Sequence, residues 1–181
     1  MSAVCLSCSL ILLVIFYFLV HFLKFEINYI ILGCNNLGDP DIEWFDAKHL
    51  QFGCIGFVKI EMRPPEAEKY CMSRGYRLVE IYNQNQQDFI AEKCTEIAGT
   101  GPREHFWIGL KRINGTSTWK WLDSDVIPEF TAWDTSQGQP SNAIGGDLLA
   151  IAYSRLGYKW ADFNNDSIFK NNEGKPICQK L

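Results

Sequence analysis

Along the chain, stretches where apolar residues recur at helical spacing alternate with short apolar runs that read as strands. From Val58 to Met62, apolar Val58, Ile60 and Met62 alternate with Lys59 and Glu61, the period-two pattern of a half-buried strand. Pro64-Pro65 then preset backbone angles for a helix start, and Ala67, Tyr70, Cys71 and Arg74 follow at helical spacing up to Gly75. A second helix is predicted after Asn83-Gln84-Asn85, with Phe89, Ile90, Cys94 and Ile97 on one stripe and Gly99-Thr100-Gly101-Pro102 ending it. Strands are expected at Phe106–Leu110, Ser117–Leu122, Leu148–Tyr153, Trp160–Asp162 and Ile177–Gln179. Helices first and strands afterwards point to an α+β domain in which two helices pack on antiparallel sheets. Between Asp123 and Gly146 lies a long loop region with little periodicity, and loops of that length in compact domains usually carry function.

The N-terminus follows different rules. From Ser2 to Leu23 no side chain is charged, and Leu10–Val20 is a continuous apolar run ahead of His21 and Lys24. We expect residues 1–33 to be a secretory signal peptide cut near Gly33-Cys34, the alternative being a membrane anchor of about 20 residues. Contact with a membrane is expected only if that segment stays uncleaved. Lys24 follows the run, so as an anchor it would leave the domain in the cytosol by the positive-inside tendency. Residues 34–52, with Gly38-Asp39-Pro40-Asp41 and then Trp44-Phe45, read as an N-terminal extension ahead of a domain at 53–181.

Length and charge narrow the function. The 181 residues, 47% hydrophobic and 14% aromatic, suit one core. A formal charge of −4 with no basic patch disfavours nucleic acid as a partner. His49 and His105 lack metal spacing, and no nucleophile-elbow pattern is present, so an enzyme is not expected.

Phe106-Trp107-Ile108-Gly109-Leu110, Trp119-Lys120-Trp121, Trp133, Gln139-Pro140-Ser141, Trp160-Ala161-Asp162 and the terminal Cys178 occur in a telling order. The set resembles the C-type lectin-like domain, with its "WIGL" strand, "W-x-W" strand, loop tripeptide, "WND" strand and last cysteine. The resemblance covers about two-thirds of the chain and implies the C-type lectin-like fold. It also implies a disulfide between Cys71 and Cys178, a loop of about 100 residues whose closure is worth about 4.7 kcal/mol in the chain-entropy model. The family's second bridge would fall at Leu149 and Asn165, which cannot form it. Of the seven cysteines, Cys54 has Cys34 or Cys94 as partners, and Cys94 reads equally well as a small buried hydrophobe. Asn114-Gly115-Thr116 and Asn165-Asp166-Ser167 are glycosylation sequons, and with the disulfides they lean towards an extracellular, secreted protein.

In sugar-binding members of that family, one calcium ion and two sugar hydroxyls share a site made by the loop tripeptide, a following acidic residue and the last motif. Carried over, the carbohydrate-binding residues are Gln139, Ser141, Asp147 and Asp162, and the metal ligands Gln139, Asp147 and Asp162; Ala161 cannot coordinate. Two carboxylates and two neutral oxygens fall short of the six to eight oxygens calcium prefers, so calcium binding at about 0.1–1 mM or weaker is expected. By resemblance, Gln139-Pro140 leans towards galactose-type choice and Pro140 towards a cis bond. Trp107, Trp119, Trp121 and Trp160 read as core, and Trp133 as the open tryptophan. Two readings follow: a carbohydrate-recognition protein with a glycan or glycoprotein ligand and weak or lost calcium dependence, or a calcium-independent protein-binding or matrix module on the same fold. Fold alone does not choose between them.

Overall fold

The computed structural model describes residue 17 and residues 33–34, 37–98, 105–113, 116–141, 149–153, 157–162 and 173–181. The signal or anchor expected at 1–33 and both sequons lie outside them almost entirely. Among the described residues no helix is long and apolar enough to cross a membrane. The chain divides into Met1–Gly38 and a compact unit, Asp39–Leu181, which carries the fold.

That unit holds strands β1 (Ile42–Asp46), β2 (Cys54–Val58), β3 (Arg77–Leu78), β4 (His105–Arg112), β5 (Trp119–Trp121), β6 (Leu149–Tyr153), β7 (Lys159–Asp162) and β8 (Lys175–Lys180). Its helices are α1 (Pro64–Met72) and α2 (Gln84–Ala98). The strands run in the order β1-β2-β8-β4-β6-β7, with β3 paired to β8 and β5 to β4. This is the expected α+β architecture with two helices. The sheet is mixed rather than wholly antiparallel, because Phe106 and Trp107 of β4 run parallel to Lys175 and Pro176 of β8.

Two boundaries differ from the sequence reading. The first sheet strand after residue 53 is Cys54–Val58, not Val58–Met62. All five of its residues are buried, since β1 and β8 flank it, so it reads as an unbroken apolar run without alternation. Ile60, read as inward-facing, is 46% exposed, and Met62 makes only a single bridge to Gly174. The 34–52 extension likewise contains β1, whose Ile42, Trp44 and Asp46 register against Val58, Gly56 and Cys54. Burial of Ile42 and Trp44 makes this strand part of the core sheet.

The C-terminal strand closes the unit. Gly53 turns the chain into β2 with φ 70°, and a Cβ there would lie 2.2 Å from the Lys180 carbonyl oxygen, so only glycine lets β2 and β8 approach so closely. Helix α1 starts at Pro64 with Glu66 reaching back to the Arg63 amide, and buries Ala67 and Cys71. Cys71 is bonded to Cys178 on β8 with Cα atoms 5.5 Å apart. Cys34 and Cys54 each also sit in a disulfide, whereas Cys94 is a buried thiol on α2. Helix α2 starts where Asn83 Oδ1 accepts from the Gln86 amide at 3.0 Å.

Among the described residues, Glu80 is a fully buried carboxylate. Glu80 accepts from the Asp123 and Ser124 amides at 2.9 and 3.1 Å and from the Tyr82 hydroxyl, while Arg77 stands 3.7 Å away. Burial pushes the Tyr82 phenol up in pKa, and its bond to Glu80 adds to the push. Glu80 thereby fastens the chain leaving β5, where the long loop begins, to the segment after β3.

A chain begun at Gly53 loses β1 and the burial of Ile42 and Trp44, about 1.5–3 kcal/mol for each such side chain. It is expected to unfold in denaturant at a clearly lower midpoint than one begun at Asp39. Glu80→Ala leaves two backbone donors and a phenol without their acceptor, for an expected loss of about 3 kcal/mol in the same measurement.

Candidate functional site

The long loop is laid along the outer edge of β7. The Trp160 amide donates to the Ala132 carbonyl at 2.8 Å, and the Asp134 amide donates to the Trp160 carbonyl at 3.0 Å. Asp134, itself buried, then caps a short 3-10 helix at Thr135–Gln137 by accepting from the Ser136 amide at 3.2 Å and its hydroxyl at 2.5 Å. Gly138, at φ 71°, ends that turn, and the Gln139 amide returns to the Asp134 carbonyl at 3.1 Å. Gln139-Pro140 is cis, as the resemblance implies, and the chain comes back onto β7 at Ser141.

There the predicted residues meet. The Ser141 amide donates to Asp162 Oδ1 at 2.8 Å and its hydroxyl to Oδ2 at 3.0 Å, while the Asp162 amide donates to Gln139 Oε1 at 3.0 Å. Gln139, Ser141 and Asp162 thus form one hydrogen-bonded ring across the cis-proline. Asp162 is 8% exposed, so its carboxylate is desolvated and held by donors, as a buried carboxylate has to be. Asp147 lies outside the described residues, as do Asn114 and Asn165.

Behind the ring stands a wall of indoles. Trp133 packs at 4.8 Å from Trp119 and 5.7 Å from Trp160, and Trp121 lies 5.7 Å from Trp160 on its other side. Trp133, expected to be open, is instead half-buried and bridged to Trp160, because β7 needs a partner on its outer edge. The Trp160 indole N–H donates to Gln87 Oε1 at 2.7 Å, and Gln87 Nε2 donates to the Tyr158 carbonyl at 3.0 Å, tying α2 to β7. Gln87 was invisible to an apolar stripe analysis since it is polar and buried. Asp134 had a legible signal, Asp-Thr-Ser before a glycine, which favours a local side-chain cap.

Among the described residues the donor set falls short of what calcium takes. It offers one carboxylate, one amide oxygen and one hydroxyl, each already in a hydrogen bond of the ring. Ala161 presents a methyl group in the adjoining place. Calcium takes six to eight oxygens, several of them charged. No group of three or more His, Cys, Asp or Glu side chains converges elsewhere among the described residues.

Comparison with known proteins fits this architecture. The Lectin C-type domain profile matches residues 60–178. Ladderlectin of Oncorhynchus mykiss is 27% identical over 141 residues, covering 77% of this chain and 69% of its own. C-type mannose receptor 2 of Homo sapiens is 28% identical over 133 residues, which are 71% of this chain but only 8% of the receptor. Among solved structures, the mouse scavenger receptor C-type lectin carbohydrate-recognition domain superposes with a TM-score of 0.58 at 26% identity, over 78% of this chain and 94% of that domain. With the profile spanning most of the compact unit and the strand order, helices and Cys71–Cys178 bridge in place, the chain belongs to the Lectin C-type domain family.

Proposed function

We propose that the chain is a secreted, extracellular carbohydrate-recognition protein that binds a glycan or glycoprotein through the Gln139–Asp162 region, with weak or lost calcium dependence. The observation that carries this reading is the ring joining Gln139, Ser141 and Asp162, which presents the loop tripeptide against β7 with three protein hydrogen bonds. A solved relative named as a carbohydrate-recognition domain and a curated one named as a mannose receptor support the ligand class. Binding rather than catalysis is the proposed activity, and Asp147 and the two sequons at Asn114 and Asn165 belong to the proposal.

A second reading is a calcium-independent protein-binding or matrix module. The same ring favours it in one respect, since side chains bonded to each other are less ready to take up a sugar diol.

Titrating calcium into the full chain by calorimetry, beside retention on galactose- and mannose-bearing glycans with and without chelator, tests the proposal. Glycan retention that survives chelator is expected, with calcium affinity no better than about 1 mM. Absence of retention on every glycan would sink the carbohydrate reading and leave the protein-binding one. Ala161→Asn by itself is expected to leave calcium affinity in the same weak range, about 1 mM or poorer, because one added amide oxygen still leaves the set short of the six to eight oxygens, several of them charged, that calcium takes.

A further inference from the structure

We infer that the binding loop is held closed by two buried carboxylates acting as backbone-amide acceptors, Glu80 at its start and Asp162 at its end, so that Asp162 is a positioning residue doing for the loop what a metal ion would otherwise do. The inference rests on the proposed function only in calling this the binding loop, and its test needs no ligand.

Residues 123–141 contain one short 3-10 turn and no strand, so they cannot satisfy their own backbone, and their order has to come from outside. Besides the Trp121 amide on the Val126 carbonyl and the Arg77–Asp123 and Lys120–Asp125 ion pairs, three attachments bear on the candidate site. At the start, the Asp123 and Ser124 amides converge on one oxygen of Glu80, which is fully buried. In the middle, Ala132 and Asp134 bond the Trp160 backbone. At the end, the Ser141 amide and hydroxyl take the two oxygens of Asp162 separately.

The last attachment has the geometry of a clip. A carboxylate whose two oxygens receive two donors from one residue fixes that residue in position and orientation, and bonds to an ionised acceptor are about twice as strong as neutral ones. The reciprocal bond from the Asp162 amide to Gln139 Oε1 fixes the other side of Pro140, so the tripeptide is gripped at both ends. Calcium entering here would share the Asp162 oxygens with the Ser141 amide and hydroxyl, and the Ala161 side chain adds no ligand. The clip draws on the carboxylate a metal would use and orders the tripeptide with protein donors alone.

Residue-resolved amide hydrogen exchange on the full chain reads the two clipped amides directly. Ser141 and Asp162 are expected to show the same protection in chelator and in about 10 mM calcium, an excess over the affinities typical of extracellular modules. Asp162→Ala is expected to speed Ser141 exchange by about tenfold or more while Ile108 and Ile177 in the core stay protected, and Asp162→Asn, which keeps one acceptor oxygen, is expected to retain most of the protection. If Asp162→Ala lets the core exchange as well, Gln139→Ala replaces it, with faster exchange expected at the Asp162 amide alone. Protection of Ser141 that appears only with calcium would overturn the inference, and so would Ser141 protection unchanged in Asp162→Ala. A glycan-binding failure leaves these readouts unmoved, so it speaks to the proposed function and not to the clip.

Discussion

Strand β8 lies between β2 and β4 and carries Cys178, which is bonded to Cys71 of α1, so the last residues of the chain hold together elements made more than 100 residues earlier. Every other part of the unit leans on that closure. Antiparallel pairing with β2 brings in the β1 hairpin, and parallel pairing with β4 joins it to the sheet that bears β6 and β7. Gly53 and Gly174 are the points where backbone and core crowd this strand: a Cβ on Gly53 would strike Lys180, and one on Gly174 would lie 2.9 Å from the Trp107 indole nitrogen. That indole N–H donates to the Met62 carbonyl, beside the paired backbone bonds Met62 makes with Gly174.

The loop that bears the candidate site inherits its order from the same sheet. Strand β7 ends the sheet, and an exposed strand edge offers unpaired backbone groups. Here the edge is covered from within, by Ala132 and Asp134 against Trp160, and by Gln139 and Ser141 against Asp162. The tryptophans make this possible by filling the space beneath: Trp119, Trp133, Trp160 and Trp121 form a continuous set of tilted and edge-on contacts, geometries that aromatic rings favour. A site built this way sits on a rigid wall, and its shape follows from the core.

Much of this was legible in the sequence, and the remainder was hidden for physical reasons. The helices at Pro64 and Asn83 announced themselves because proline and asparagine act locally at helix starts. Gln139, Ser141 and Asp162 were recoverable as a set from an ordered resemblance, although 21 residues separate Ser141 from Asp162. What resemblance could not say is that they would bond to each other, since the same atoms could have faced a metal. Strand β1 was hidden because its buried Ile42 and Trp44 are too few to make an alternating run and follow directly on the turn residues Gly38-Asp39-Pro40-Asp41, and β2 because burial on both faces removes alternation. Glu80 and Gln87 escaped for a third reason: buried polar residues are recognised by their partners, and the Asp123, Ser124, Tyr158 and Trp160 groups they bond lie 43 to 73 residues away.

Hydrogen bonds from Ser141 to the buried Asp162 carboxylate hold the candidate site in shape. Thermal unfolding of the full chain in chelator and in calcium tests this most directly, because any ligand of the folded state alone raises stability by mass action. A calcium site with a dissociation constant of about 0.1 mM would add about 2.7 kcal/mol at about 10 mM calcium, a rise of roughly 5–10 °C for a chain of this size. With an affinity of about 1 mM or weaker the gain stays below about 1.4 kcal/mol, so the two unfolding curves are expected to lie within a few degrees of each other; a calcium-dependent rise of the larger order would contradict a site held by its own hydrogen bonds.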